Sequence, residues 1–228
     1  SYRNMDLQSE SIRFLDDSLF FEQHLGRRLI ATSNPRATTQ PLVEVKHSES
    51  PDWVRNTFIS WLSDCARIQT HDLSELATCL SELFNNIDDH TELDVGSVFA
   101  RWYPRKERVI VAVADFGGGI PATVRRVCPD LSDQEAIVKA FQNEFTARST
   151  PRNRGIGLHF LLQNVVENLM GKLTVHSAHG AVTFKMHKDV LTIDSYKQGG
   201  FCPGTLIVLE FDTAKIERTE GQLEDIEW

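Results

Sequence analysis

Three short stretches carry residue types at spacings that suit chemistry. In Glu82-Leu-Phe-Asn-Asn86-Ile-Asp-Asp-His90, the residues Glu82, Asn86 and His90 stand at i, i+4 and i+8. On a helix they fall along nearly one line, opposite an apolar stripe. A carboxylate there can orient or deprotonate a water or hydroxyl, and an amide oxygen one turn on can serve a hard cation without adding charge. A solvated polar face is the plainer reading, but Asn85 and Asn86 are poor helix formers placed mid-helix. The second stretch, Asp115-Phe-Gly117-Gly-Gly119-Ile120, suits a tight turn. It equally suits a backbone that approaches a ligand closely. A carboxylate at Asp115 would accept from the exocyclic amine of adenine and repel the oxygen that guanine has there. In the third stretch, Arg154-Gly155-Ile-Gly157-Leu158, two glycines open a helix after an Arg-rich segment. Free N–H groups at a helix start can cradle phosphates.

In this order the three stretches resemble the ATP-binding fold shared by gyrase, Hsp90-type chaperones, histidine kinases and mismatch-repair MutL, the GHKL or Bergerat-fold superfamily. The likeness spans about residues 72 to 212 and is nearest to histidine-kinase-like and anti-sigma-factor-kinase-like domains. It implies ATP and Mg2+ as cofactors. Asn86 would be the magnesium ligand and Glu82 the catalytic base, with Asn86 favoured over Asn85 by its spacing to Glu82. His90 matches a histidine that lies near the phosphates in kinase-like members, or is a surface residue. Asp115, Gly117, Gly119 and Ile120 match the first glycine box, and Gly155, Gly157 and Leu158 the second. Gly204-Thr205 resembles the third, where the Thr hydroxyl would help Asp115 hold adenine. Residues 121–154 correspond to the ATP lid. Of Arg148, Arg152 and Arg154, at least one is expected to touch the nucleotide's phosphates.

The elements that must position these groups can be read from periodicity. Residues 9–31 have helical spacing (Ile12, Leu15, Leu19, Phe20, Leu25, Leu29), broken by a polar stretch with Pro35 and Pro41. Leu42–Val45 is a short strand. Pro51 starts a helix with the stripe Trp53, Val54, Phe58, Trp61 and Leu62. Asp72 and Glu75 form a capping box for a helix that runs to about His90. A hairpin follows, Val98–Tyr103 and Val109–Ala114. Ser132 and Glu135 cap a helix to about Phe145. Residues 156–170 form a helix stopped at Gly171. Separate strand-like runs lie at 173–175, 182–186, 190–193 and 205–211, and residues 216–228 read as a loose acidic tail.

The fold class expected is α+β: a two-layer α/β sandwich with a mixed sheet and helices on one face, preceded by a mainly helical extension. Three regions are expected: residues 1–70 as the extension and a possible dimer or partner face, 71–213 as the ATP-binding domain, and 214–228 as the tail. The 228 residues carry a net charge of -8, which disfavours direct nucleic-acid binding and anionic membranes. No apolar run is long enough to span a bilayer, and the N-terminal residues lack an apolar signal core. Cys65, Cys79, Cys128 and Cys202 show no C-x-x-C spacing, so reduced, mostly buried thiols and a cytoplasmic location are expected.

Histidine autophosphorylation is not expected. His71-Asp-Leu stands too close to Glu82 to sit on a separate domain, and His24 lacks the usual neighbours. Two functions remain open. One is an ATPase or a Ser/Thr protein kinase acting in signalling. The other is a nucleotide-gated interaction module with little turnover, working through a protein partner or a homodimer.

Overall fold

The computed structural model describes residues 6–90, 95–143, 145 and 157–219, with the backbone alone given for residues 87–90. Two short helices, α1 (Glu10–Asp17) and α2 (Phe20–Leu25), come first. The apolar period runs through both, but the helix breaks between them. Leu19 takes a left-handed φ of 61°, and the Ser18 hydroxyl bonds back to the Phe14 carbonyl. The two aspartates at the end of α1 hold the chain that follows α2. The fully buried Asp16 carboxylate accepts the Leu29 and Ile30 amides at 3.0 and 2.7 Å. Asp17 accepts from the Ser33 hydroxyl and from Arg36.

Five strands make one sheet in the order β1-β2-β3-β5-β4: β1 (Thr39–Lys46), β2 (Val95–Tyr103), β3 (Arg108–Asp115), β4 (Lys172–His187) and β5 (Val190–Asp212). The α+β class is as expected, but every pairing is antiparallel where a mixed sheet was expected. The cause is the route of the chain. After β3 it crosses to the far edge, lays down β4, and returns as β5 between them. β3 and β4 run the same way but never touch as neighbours.

One face of the sheet is the core. Period-two alternation sends Val98 and Ala100, Val109, Val111 and Val113, Leu173 and Val175, and Ile207, Leu209 and Phe211 to the same side, all buried. The helix α5 (Ser74–His90) lays Leu76, Cys79, Leu80, Leu83 and Phe84 on them. The helical stretch from α3 (Ser50–Asp52) to α4 (Ser60–Ala66) adds Val54, Phe58 and Leu62, with a wide-turn segment, Trp53–Ile59, between the two. Residues 39–66 therefore share the same core as the later elements. Phe14 of α1 packs edge-on against Phe99, and the Arg101 guanidinium lies 4.3 Å from its ring centre, on the other face of β2.

Several boundaries differ from the sequence reading. Asp72 does not cap α5. A 3-10 turn, Thr70–Leu73, precedes the helix, and the Asp72 carboxylate accepts the Thr219 amide and hydroxyl at 3.0 and 2.7 Å. Ile216 is buried, so residues 216–219 are docked rather than loose. The Ser132–Glu135 box does form, but α7 (Asp133–Ala140) ends sooner than Phe145. Helix α8 (Gly157–Leu162) continues in a wider turn, Gln163–Asn168. At its end the left-handed residue is Met170, at φ 51°, not Gly171. Gly171 is required for space, since a Cβ there would lie 2.5 Å from the Glu210 carbonyl and 2.6 Å from that of Val165.

The separate strand-like runs after residue 173 join into one long hairpin. Its two-residue turn, Lys188-Asp189, has φ of 51° and 61° at both positions, the geometry that matches strand twist. A register shift at Ala178 (φ 52°) divides the base of the hairpin, where β5 also pairs with β3, from the outer part, where its pairing among the described residues is with β4. Val190, Ile193, Tyr196 and Phe201 are exposed along that part. Among the described residues, no helix is long and apolar enough to cross a membrane.

Candidate functional site

Glu82 and Asn86 are half-buried along the flank of the core stripe formed by Cys79, Leu80, Leu83 and Phe84 on α5, and the exposed side is left to Asn85. Gly157, the first residue of α8, comes against them. A Cβ on Gly157 would stand 2.9 Å from Glu82 Oε2 and 3.6 Å from Asn86 Nδ2. The first and third sequence stretches thus meet through a glycine that lets the start of α8 approach the carboxylate and the amide. Asn85 points elsewhere, its Oδ1 lying 3.1 Å from His47 Nε2. The Asn86 Nδ2 is buried and has no hydrogen-bond partner among the described residues. Turning that amide over costs it no hydrogen bond at Nδ2 and places the oxygen there instead. A neutral oxygen beside a carboxylate fits a largely hydrated magnesium ion that takes its remaining ligands from water and phosphate.

The second cluster sits at the matched ends of β3, β5 and β4. Asp115 pairs in register with Thr205, and Thr205 with Ser177. The Asp115 carboxylate accepts the Gly117 amide at 2.7 Å and also the Thr205 amide. Burial pushes its pKa above 3.8, and these two amide bonds oppose the rise. Gly204 is at φ 70°, and a Cβ on it would meet the Asp115 carbonyl at 2.2 Å and its Oδ1 at 2.6 Å. A Cβ on Gly119, at φ 78°, would meet the Ser177 hydroxyl at 2.6 Å and the Gly204 carbonyl at 2.9 Å. Ile120 donates its amide to Ser177 Oγ at 3.1 Å and packs on the core, as does Leu158. The arrangement offers a half-buried carboxylate among tightly fitted turns, the means to read one polar edge of a flat ring.

The structure therefore gathers Glu82, Asn86 and Gly157 in one cluster and Asp115, Gly117, Gly119, Ile120 and Thr205 in another. Arg148, Arg152, Arg154 and Gly155 lie outside the described residues, as does the side chain of His90. Ser177 was missed from sequence. The available signal was its place in the inward series Leu173, Val175, Ser177, where a third apolar residue would be ordinary. All four cysteines are free, but Cys79 alone is buried, its thiol pushed up to about 12 chiefly by burial. Cys65, Cys128 and Cys202 are half-buried, short of the mostly buried set expected.

No curated protein matches the chain. The family described as histidine kinase-, DNA gyrase B- and HSP90-like ATPase matches residues 71–192, more than half the chain. That span holds Glu82, Asn86, Asp115, the glycines of both boxes and Ser177, while Thr205 lies beyond it. The chain belongs to the histidine kinase-, DNA gyrase B- and HSP90-like ATPases, a family of ATP-binding domains.

Proposed function

We propose that the chain is a magnesium-dependent enzyme that hydrolyses ATP or passes its γ-phosphate to a hydroxyl of a protein partner. The observation that carries this reading is the buried Asn86 Nδ2, without a hydrogen-bond partner among the described residues, beside Glu82 at the start of α8. When bound, magnesium would neutralise phosphate charge, and the Asn86 oxygen would hold it. Glu82 accepts the proton of the attacking water or hydroxyl as the new P–O bond forms and the bond to the leaving ADP breaks. Asp115 accepts from the adenine amine, and Thr205 stands beside it. Gly157 and Leu158, with Gly155 before them, would hold the phosphates at the start of α8. Residues 121–154 serve as the lid, with Arg148, Arg152 and Arg154 supplying positive charge as it closes.

The base of that lid is supported by packing: Val124 of α6 (Gly119–Val124) and Ala136 and Ile137 of α7 are buried. Arg125 pairs with Asp133, and the other Asp133 oxygen accepts the His179 amide. Residues 1–70 would offer a partner or dimer face in a cytoplasmic signalling role.

The test measures Mg-ATP binding and phosphate release for the wild type and Glu82→Ala. The variant is expected to bind ATP as the wild type does and to lose turnover by about 10²–10⁴-fold. Phosphate release unchanged in Glu82→Ala removes Glu82 as the base. A wild type that binds ATP but releases no phosphate, alone or with a partner, replaces this reading with a nucleotide-gated interaction module.

A further inference from the structure

Burying a hydroxyl completely is costly unless its hydrogen-bonding capacity is used. Ser177 is fully buried, and its oxygen sits where three backbone segments meet. It lies 2.6 Å from the Gly204 carbonyl, 3.1 Å from the Ile120 amide and 3.4 Å from Thr205 Oγ1. The proton bookkeeping is forced. A hydroxyl has one hydrogen and two lone pairs. The Gly204 carbonyl can only accept, so it takes the single Ser177 hydrogen. The Ile120 amide can only donate, so it takes one lone pair. Towards Thr205, Ser177 has only a lone pair left. Any hydrogen bond across the 3.4 Å between the two hydroxyls is therefore donated by Thr205, which leaves the Thr205 lone pairs to accept from another donor.

We infer that Ser177 is a positioning residue that sets purine specificity by making the Thr205 hydroxyl an acceptor. Both side chains at the ring-reading end, Asp115 and Thr205, then present lone pairs, and two acceptors select a donor. An exocyclic amine is welcomed and a carbonyl in its place is repelled. The same serine ties the Gly119–Ile120 turn to the Gly204–Thr205 turn, which holds Asp115 and Thr205 in register. This inference rests on the nucleotide reading of the cleft, and it adds a determinant that touches no ligand atom.

The test compares dissociation constants of the full chain for Mg-ATP and for Mg-inosine triphosphate, which carries a carbonyl where adenine has its amine. Magnesium tripolyphosphate serves as a ring-free control. In Ser177→Ala the hydrogen of Thr205 is released to turn outward. The wild-type preference for ATP is expected to fall about tenfold, the effect of one hydrogen bond, with tripolyphosphate binding unchanged. Ser177→Thr keeps the hydroxyl and is expected to retain the preference. If Ser177→Ala does not fold, Ser177→Cys, slightly larger and only a weak donor, carries the same comparison. A merely structural serine would weaken both nucleotides alike, and an unchanged ratio in the folded variant overturns the inference. A wild type that binds neither nucleotide overturns the ATP-site reading and this inference together. A wild type that prefers ATP with a variant that keeps that preference overturns this inference alone.

Discussion

Gly204→Ala tests how tightly the cluster around Asp115 and Thr205 is built. Two costs add. The first is conformational: an alanine held at φ 70° costs about 1–2 kcal/mol relative to its preferred region. The second is steric. The new methyl would sit 2.2 Å from the Asp115 carbonyl oxygen, where ordinary contact begins near 3.4 Å, and the obstacle is backbone that cannot rotate aside. β3 and β5 must part by more than an ångström, or the turn must rebuild, at about 1–3 kcal/mol by analogy with overpacked cores. The sum is about 2–5 kcal/mol. For a chain of this size, each kcal/mol moves the midpoint by about 2–4 °C, so a fall of about 10 °C is expected. Binding should suffer beyond stability, because Asp115 and Thr205 are displaced directly. Loss of the hydrogen bonds that these two groups would give the ligand costs about tenfold or more in affinity. Thermal unfolding and Mg-ATP titration of the same samples measure both. Gly199→Ala is the control, since a Cβ there meets nothing within 4 Å. A Gly204→Ala protein that melts within about 2 °C of the wild type and binds Mg-ATP equally would refute the reasoning, since the predicted loss is several-fold larger.

Gly157→Ala should separate folding from turnover. The obstacle there is the end of the flexible Glu82 side chain at 2.9 Å, and alanine favours a helix over glycine by up to about 1 kcal/mol. The melting temperature is expected to hold or rise while phosphate release falls at least about tenfold, checked by calorimetry and a phosphate assay. The raised Asp115 pKa gives a pH signature. Acceptance from the adenine amine needs the ionised carboxylate, so Mg-ATP affinity should decline on acidification from a pH above that of an ordinary aspartate near 3.8. Asp115→Asn, titrated alongside, supplies the baseline due to the phosphates. The stability sign is opposite to that of a paired carboxylate. The unfolded chain ionises at the ordinary value, so this group's favourable contribution is complete below 3.8 and is lost as pH rises through the elevated folded value. Asp115→Asn should therefore lose ATP without losing stability at neutral pH, and chemical denaturation reads that out.

Elements with strong local signals were legible in the sequence. The stripe of α5 put Glu82 and Asn86 together along its flank, and the β2–β3 alternation ended at Asp115. The Ser132–Glu135 box formed. What escaped was set by contacts distant in the chain. Asp72 looks like a cap locally, but Thr219 takes its carboxylate. Gly171 looks like a helix stop, yet it serves the close passage of Glu210 and Val165. The apolar period from residue 9 to 31 ran across a break that the Asp16 carboxylate fixes from the other side of a loop. Residues 194–203 are polar or exposed because they lie along the outer part of the hairpin, so no alternation marked them as strand. Ser177 reads as an ordinary strand residue until Gly204, twenty-seven positions later, arrives beside it.

The placement of β5 between β3 and β4 has a consequence for biosynthesis. During translation the hairpin of β2 and β3 leaves the ribosome with one edge bare, and only the stretch from Thr205 to Asp212 can close it. Nearly a hundred intervening residues must emerge first, so the sheet cannot complete in the order in which it is made. Asp115 waits for Thr205 through that whole interval, and their cluster is assembled only once the second half of β5 has emerged.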